Sequence, residues 1–182
     1  LNENFQRSSA LVESETIEGQ KPKLIICNSS TAEVIQIASE LKDLVESFDI
    51  NYGDILILLR HNKEVDTYKK MLSQRQIPTK LLKDYDGTPS DNVQIGTYHA
   101  SKGLESKVVV IPDLTKGTFL PSDKDENEDE ETYQERIGLE LNKFWVAATR
   151  ARDFLILTCQ GEESEFLKRA SDFVDLLDAR TS

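Results

Sequence analysis

Nowhere in these 182 residues does a lysine follow a glycine. The chain therefore has no GxxxxGK[ST] loop, in which backbone amides and one lysine wrap a triphosphate. No apolar strand is followed by an Asp-Glu pair that would hold magnesium and orient a water. HExxH, GxSxG and paired CxxC segments are also missing, which leaves out the common metalloprotease, serine hydrolase and zinc-ribbon chemistries. Two histidines, His61 and His99, are too few for a histidine-built metal centre, and no metal site is expected. By itself the chain lacks the parts of a nucleotide hydrolase.

Cysteine is scarce too. Cys27 and Cys159 each sit inside an apolar run, so they are expected as small core residues rather than a disulfide or a metal pair. No apolar stretch reaches the roughly 20 residues that cross a bilayer. The opening LNENFQRSS has neither the basic start nor the apolar centre of a signal peptide. A cytoplasmic protein with no membrane partner is expected, and the Leu at position 1 reads as the start of a fragment.

What is abundant is acid: 33 Asp and Glu against 22 Lys and Arg, a formal net charge of -11. That balance argues against a free-standing nucleic-acid binder, since such binding begins with cations neutralising phosphates. Much of the excess, however, lies in DKDENEDEE (Asp123 to Glu131). Residues 122–132 are expected to form a solvated acidic loop, and the rest of the surface is left with a more even balance.

Short apolar runs alternate with helical stripes along the chain. KLIIC (Lys23 to Cys27) reads as a strand, and Ser30 with Glu33 three residues on reads as a capping box opening a helix. Val34, Ile37, Ala38, Leu41, Val45 and Phe48 form its apolar stripe, with an end expected near Asp49. DILILL (Asp54 to Leu59) is a second strand, and Val65, Tyr68, Met71 and Leu72 mark the next helix. Thr79 to Leu82, Val93 to Tyr98, Lys107 to Pro112 and Phe154 to Cys159 are further strands. Tyr133, Ile137, Leu141, Phe144, Trp145 and Ala148 form a helical stripe, and Phe166, Leu167, Ala170, Phe173 and Leu177 predict a terminal helix. Near-continuous apolar strands separated by helices predict an α/β fold, a mostly parallel sheet with helices on both faces. Ligands in such sheets bind beyond the carboxyl ends of the strands, and the two segments richest in polar chemistry are expected there.

The first of these is TYHASKGLE (Thr97 to Glu105). Thr97 and His99 are suited to phosphate oxygens, and Gly103 to close backbone approach. Tyr98 is expected to be a core ring with a wet hydroxyl. Lys102 reads equally as a surface cation, and Glu105 as an acceptor for a ribose hydroxyl or a turn residue. The second is TRAR (Thr149 to Arg152), where Arg150 ends a helix just before a strand. A guanidinium there can complement the helix C-terminus or grip a phosphate bidentately.

Taken together, these segments resemble superfamily 1 helicases of the UvrD, Rep and PcrA type. TYHASKGLE is similar to their T-x-H-x-x-K-G-L-E signature and WVAATRARDFLIL to Y-V-A-x-T-R-A. LNENFQRSS resembles the L-x-x-N-Y-R-S segment, and DILILLRHNKEVDTYKKMLSQRQIPTKLL resembles the stretch in which a strand ends in R-x-N before a helix and "gIPy". The resemblance implies the second RecA-like domain of a DNA motor, a three-layer RecA-like (P-loop NTPase-type) domain over residues 23–182, led in by residues 1–22. It implies Arg150 as the arginine finger and Arg7 as a second phosphate-sensing arginine. Gly103 and Glu105 would lie on the nucleotide side, and Thr97, His99, Arg60 and Asn62 would meet single-stranded DNA. ATP with Mg2+ and the first RecA-like domain of the same polypeptide are implied as cofactor and partner, the metal ligands lying on that first domain. Departures from the pattern are FQRSS, one residue longer than usual, Leu141 and Asn142 where an arginine is common, and Ser106 in place of an aromatic. Compactness also resembles HelD-like proteins, which implies RNA polymerase as an alternative partner.

Overall fold

A computed structural model of the chain describes residues 20–121 and 124–180. Arg7 and most of the 1–22 segment lie outside the described residues.

The apolar runs become strands because Val, Ile and Leu pack well on both faces of a pleated surface. β1 (Lys23–Cys27), β2 (Ile55–Leu59), β3 (Thr79–Leu81), β4 (Val93–Thr97), β5 (Ser106–Ile111), β6 (Ala151–Gln160) and β7 (Asp175–Asp178) form one sheet. Its order is β3-β4-β2-β5-β6-β1-β7, and every neighbouring pair is parallel. Side-chain alternation sorts the strands into two cores. Ile25, Ile55, Ile57, Leu59, Val108 and Val110 face α1 (Ser30–Ser47) and α2 (Asn62–Ser73). Leu24, Ile26, Leu56, Leu58, Val109 and Ile111 face α3 (Glu130–Ala148) and α4 (Glu165–Arg169). Each fully buried Leu, Ile or Val contributes roughly 1.5–3 kcal/mol, so the strands are the main source of stability. Cys27 and Cys159 are buried and free, one in each core.

Several expectations are corrected. Ser29, not Ser30, caps α1, its hydroxyl accepting from the Ala32 amide at 3.2 Å. Glu33 is not a capping residue but is fully buried. Its carboxyl accepts from the hydroxyls of Tyr68 and Thr158, the Gln160 amide nitrogen at 2.8 Å and the Asp113 backbone amide at 3.0 Å. Four donors from α2, β6 and the turn after β5 offset the cost of placing an acid in the core.

Trp145 lies on the outer side of α3 with 54% exposure, because Phe144, Ala147 and Ala148 take the inward positions. The terminal helix stops at Arg169, Phe173 is exposed, and Leu177 belongs to β7, which adds to β1 as a parallel edge strand. β6 starts at Ala151, three residues before the apolar run, since Ser106 pairs with Ala151. The acidic 122–132 loop is shorter than expected. Asp129 caps α3 by accepting from Thr132 N at 2.8 Å, and Glu130 and Glu131 form its first turn, where acids complement the helix dipole. Arg136 reaches back to grip Glu128 with Nε at 3.0 Å and Nη2 at 2.6 Å, so part of the run is pinned.

Candidate functional site

The two polar segments do not lie together beyond the carboxyl ends of the strands. All strands run the same way, so Thr97 ends β4 at one edge of the sheet while Ser106 and Ala151 begin β5 and β6 at the opposite edge. Residues 98–105 cross the α3 face from one edge to the other, passing over β2, which separates β4 from β5. The TYHASKGLE segment thus begins at the carboxyl edge and finishes at the amino edge.

At the amino edge, α3 ends and the chain turns into β6. Arg150 is held there by main-chain acceptors. Its Nε donates to the Val146 carbonyl at 2.9 Å and its Nη1 to the Leu104 carbonyl at 3.1 Å. Its Nη2 donates to the Thr149 hydroxyl at 3.3 Å. The Ser106 amide bonds the Arg150 carbonyl at 2.9 Å, locking the two polar segments together. Leu104 stands between Gly103 and Glu105, so the Arg150 side chain lies beside the turn that holds both. Gly103 has a φ of 83°, a left-handed turn that glycine adopts without strain. Glu105 is exposed and lines a recess of about 370 Å3 with Tyr85, Lys107 and Arg152. Arg150 caps the last turn of α3 through the Val146 carbonyl.

At the carboxyl edge the expected strand-contacting residues fall into two recesses. Asn62 and Thr97 line a shallow one of about 250 Å3 between α2 and β4. Arg60 and His99 line a larger one of about 480 Å3, whose far wall is α3 with Leu139, Glu140 and Val146. Leu139 and Val146, both exposed, lie seven positions apart on one helix face with Lys143 between them. Arg60 Nη2 is 3.1 Å from Glu140 Oε2, and Lys143 Nζ donates to Glu140 Oε1 at 2.7 Å. Burial disfavours the charged form of Glu140, but the Lys143 hydrogen bond and the Arg60 charge outweigh it and hold the carboxyl below its ordinary value. Tyr98 is a core ring as expected, but its hydroxyl is buried rather than wet and has no hydrogen-bond partner among the described residues, and neither has Arg60 Nε. Burial pushes the Tyr98 hydroxyl well above the usual phenol value.

Sequence reasoning missed the part that α3 plays in this recess. The signal was available: Leu139, Glu140, Lys143 and Val146 share one face at helical spacing. Among the described residues no cluster of acids, histidines or cysteines could hold a metal ion, and no helix is long and apolar enough to cross a membrane.

Comparison with known proteins bears on the family and the fold. A sequence model of the UvrD-like helicase C-terminal domain matches residues 1–87 and 84–162. A probable DNA helicase II homolog of Mycoplasma capricolum is 41% identical over 92 residues, covering 48% of this chain and 12% of that protein. A probable DNA helicase of Mycoplasma pneumoniae is 30% identical over 128 residues, 70% of this chain and 21% of the relative. The matched region is therefore a small part of each relative's length. Among solved structures, the C-terminal domain of a possible DNA helicase from Lactobacillus plantarum superposes with a TM-score of 0.66. It shares 18% identity over 87% of this chain and 86% of that one. The C-terminal domain of the DEAD-box protein Dbp5 gives a TM-score of 0.52 at 13% identity, covering 91% and 92%. At such identities these two matches speak for the fold.

Proposed function

The chain belongs to the UvrD-like helicase C-terminal domain family, and from that premise we propose that it is the second motor domain of an ATP-dependent DNA helicase or translocase. In this reading the amino edge faces the nucleotide. Arg150 would meet the γ-phosphate across a cleft from the first RecA-like domain, with Glu105 and Gly103 beside the nucleotide and Arg7 as a further phosphate contact. The carboxyl edge would carry single-stranded DNA on Thr97, His99, Arg60 and Asn62.

ATP with Mg2+ would supply the phosphoanhydride whose cleavage drives the cycle. The Arg150 guanidinium suits the phosphate end of that substrate, and among the described residues no group of acids, histidines or cysteines is placed to hold its metal. The chain's own contribution is to place a fixed positive charge where negative charge develops, and to change its hold on the strand as the cleft opens and closes.

One observation carries the proposal: the hydrogen bond from Arg150 to the Leu104 carbonyl, which sets the candidate finger against the turn that holds Gly103 and Glu105. The test is Arg150→Ala in the full-length parent polypeptide. ATP turnover should fall by about 10^3-fold or more, the scale at which such arginines act, while nucleotide affinity changes little. Unchanged turnover would remove Arg150 from the finger role.

A further inference from the structure

Arg60, Arg136 and Arg180 each pair with a carboxylate, but among the described residues Arg150 pairs with none, in a chain of formal net charge -11. Its acceptors are all neutral, two main-chain carbonyls and the Thr149 hydroxyl. A carboxylate would orient the guanidinium and discharge it at the same time. A neutral acceptor orients it and leaves the whole charge for an incoming anion.

The way α3 ends produces this arrangement. The Arg150 amide bonds the Ala147 carbonyl at 3.1 Å, so the Val146 carbonyl is left as one of the orphan acceptors of a helix terminus. Side chains fill it: the Thr149 hydroxyl donates to it at 3.0 Å and Arg150 Nε at 2.9 Å. With its proton committed to Val146, the hydroxyl has a lone pair to offer, and Arg150 Nη2 donates to it at 3.3 Å. Guanidinium, carbonyl and hydroxyl thus close a ring that fixes the plane of the fork, while the Leu104 carbonyl holds Nη1 at 3.1 Å from the other side. One N–H on each terminal nitrogen is left over, a pair that a phosphate can take bidentately. Thr149 supplies the only side-chain acceptor in the set, and it is exposed, so its hydroxyl can be changed without disturbing the core.

We propose that Thr149 is a positioning residue for Arg150, its hydroxyl holding the fork in the plane that turns the two remaining N–H groups toward the γ-phosphate. The assignment rests on the finger reading above. Thr149 acts through Arg150 and does not itself touch the nucleotide.

The test is steady-state ATP hydrolysis by the full-length polypeptide with oligothymidylate present. Thr149→Val keeps the branched shape and removes both hydrogen bonds of the hydroxyl, and Thr149→Ser keeps both. In Thr149→Val, kcat should fall by about tenfold with KM for ATP little changed, a loss larger than one neutral hydrogen bond gives and smaller than the roughly 10^2-fold of a misplaced reacting group. Thr149→Ser should restore kcat. If Thr149→Val turns over like the parent while Arg150→Ala does not, the positioning role is wrong and the finger stands. If Arg150→Ala also turns over like the parent, the finger reading itself fails. A raised KM at constant kcat would make Thr149 a nucleotide contact, and a loss of kcat that serine fails to restore would trace to the shape of the helix end. Either result overturns the assignment.

Discussion

The two edges of the sheet hold their arginines in opposite ways. At the amino edge Arg150 is anchored by two backbone carbonyls and a hydroxyl. At the carboxyl edge Arg60 is matched only in part, and among the described residues the buried Tyr98 hydroxyl has no partner. A side chain fixed by its own backbone is preorganised, and it adds charge at a set place without reorganisation. A side chain with an unmet buried donor carries an uncompensated desolvation cost.

The most disruptive way to probe that contrast lies in the core beneath the carboxyl edge. Glu33→Ala strands four donors at once, the hydroxyls of Tyr68 and Thr158, the Gln160 amide and the Asp113 backbone amide. A loss of about 3–5 kcal/mol is expected, as for breaking other buried polar networks. Denaturant melts followed by circular dichroism measure it, and a loss below about 1 kcal/mol would show the network to be dispensable. Next comes Gly53 under the amino edge. A Cβ there would lie 1.6 Å from the Ser90 carbonyl oxygen, which is backbone and cannot swing aside. Gly53→Ala should cost about 1–3 kcal/mol by forcing the chain apart and should reshape the recess that holds Glu105. An unchanged melting temperature would show that this edge is more compliant than its contacts suggest.

A milder probe is Arg150 itself. Removing the side chain loses the Val146 and Leu104 bonds, with an expected stability cost of about 1 kcal/mol in addition to any effect on turnover. Arg150→Lys keeps the charge and cannot reproduce the fork. Stability recovered by Lys without turnover would separate the helix-capping role from the catalytic one, and recovery of both by Lys would argue against fork geometry.

The same contrast explains what could be read in advance. KLIIC, ILILL and VVVI became strands because a sheet covered on both faces demands continuous apolar runs, and the pattern states that directly. A common place for Gly103, Glu105 and Arg150 was implied by the resemblance and not by their spacing, and the contact that joins them, Arg150 to the Leu104 carbonyl, is tertiary. That Thr97 and Glu105 belong to opposite edges was not legible, because it depends on β4 and β5 being separated by β2 and on the chain crossing the sheet between them. β7 was misread as helix since its DLLD is neither alternating nor continuously apolar, and it forms only by adding to β1. Glu33 fits a capping motif on paper, and only the tertiary arrangement brings four donors to it.

The smallest effect depends on pH. Asp113 follows β5 with a φ of 58°, a left-handed conformation that Asp and Asn tolerate best. Burial pushes its carboxyl up to about 6, Thr115 opposes that by hydrogen bonding, and the charges of Glu33 and Glu64 push it further while Arg60 pulls it back. The folded state thus holds the proton more tightly than the unfolded chain. Between the ordinary value of 3.8 and about 6 it binds more protons, so this group's contribution to stability falls as pH rises through that window and stays lowered above it. Asp113→Asn keeps the shape, the backbone preference and an acceptor for Thr115, and removes the charge. With allowance for partial exposure, the variant should be more stable than the parent by about 1 kcal/mol at pH 8 and indistinguishable from it near pH 4. Thermal melts at the two pH values decide the matter. A gain that is equal at both would trace the effect to packing. A gain confined to high pH would show that a buried negative charge beside the Glu33 network weakens the carboxyl edge, the same edge where Arg60 is left only partly paired.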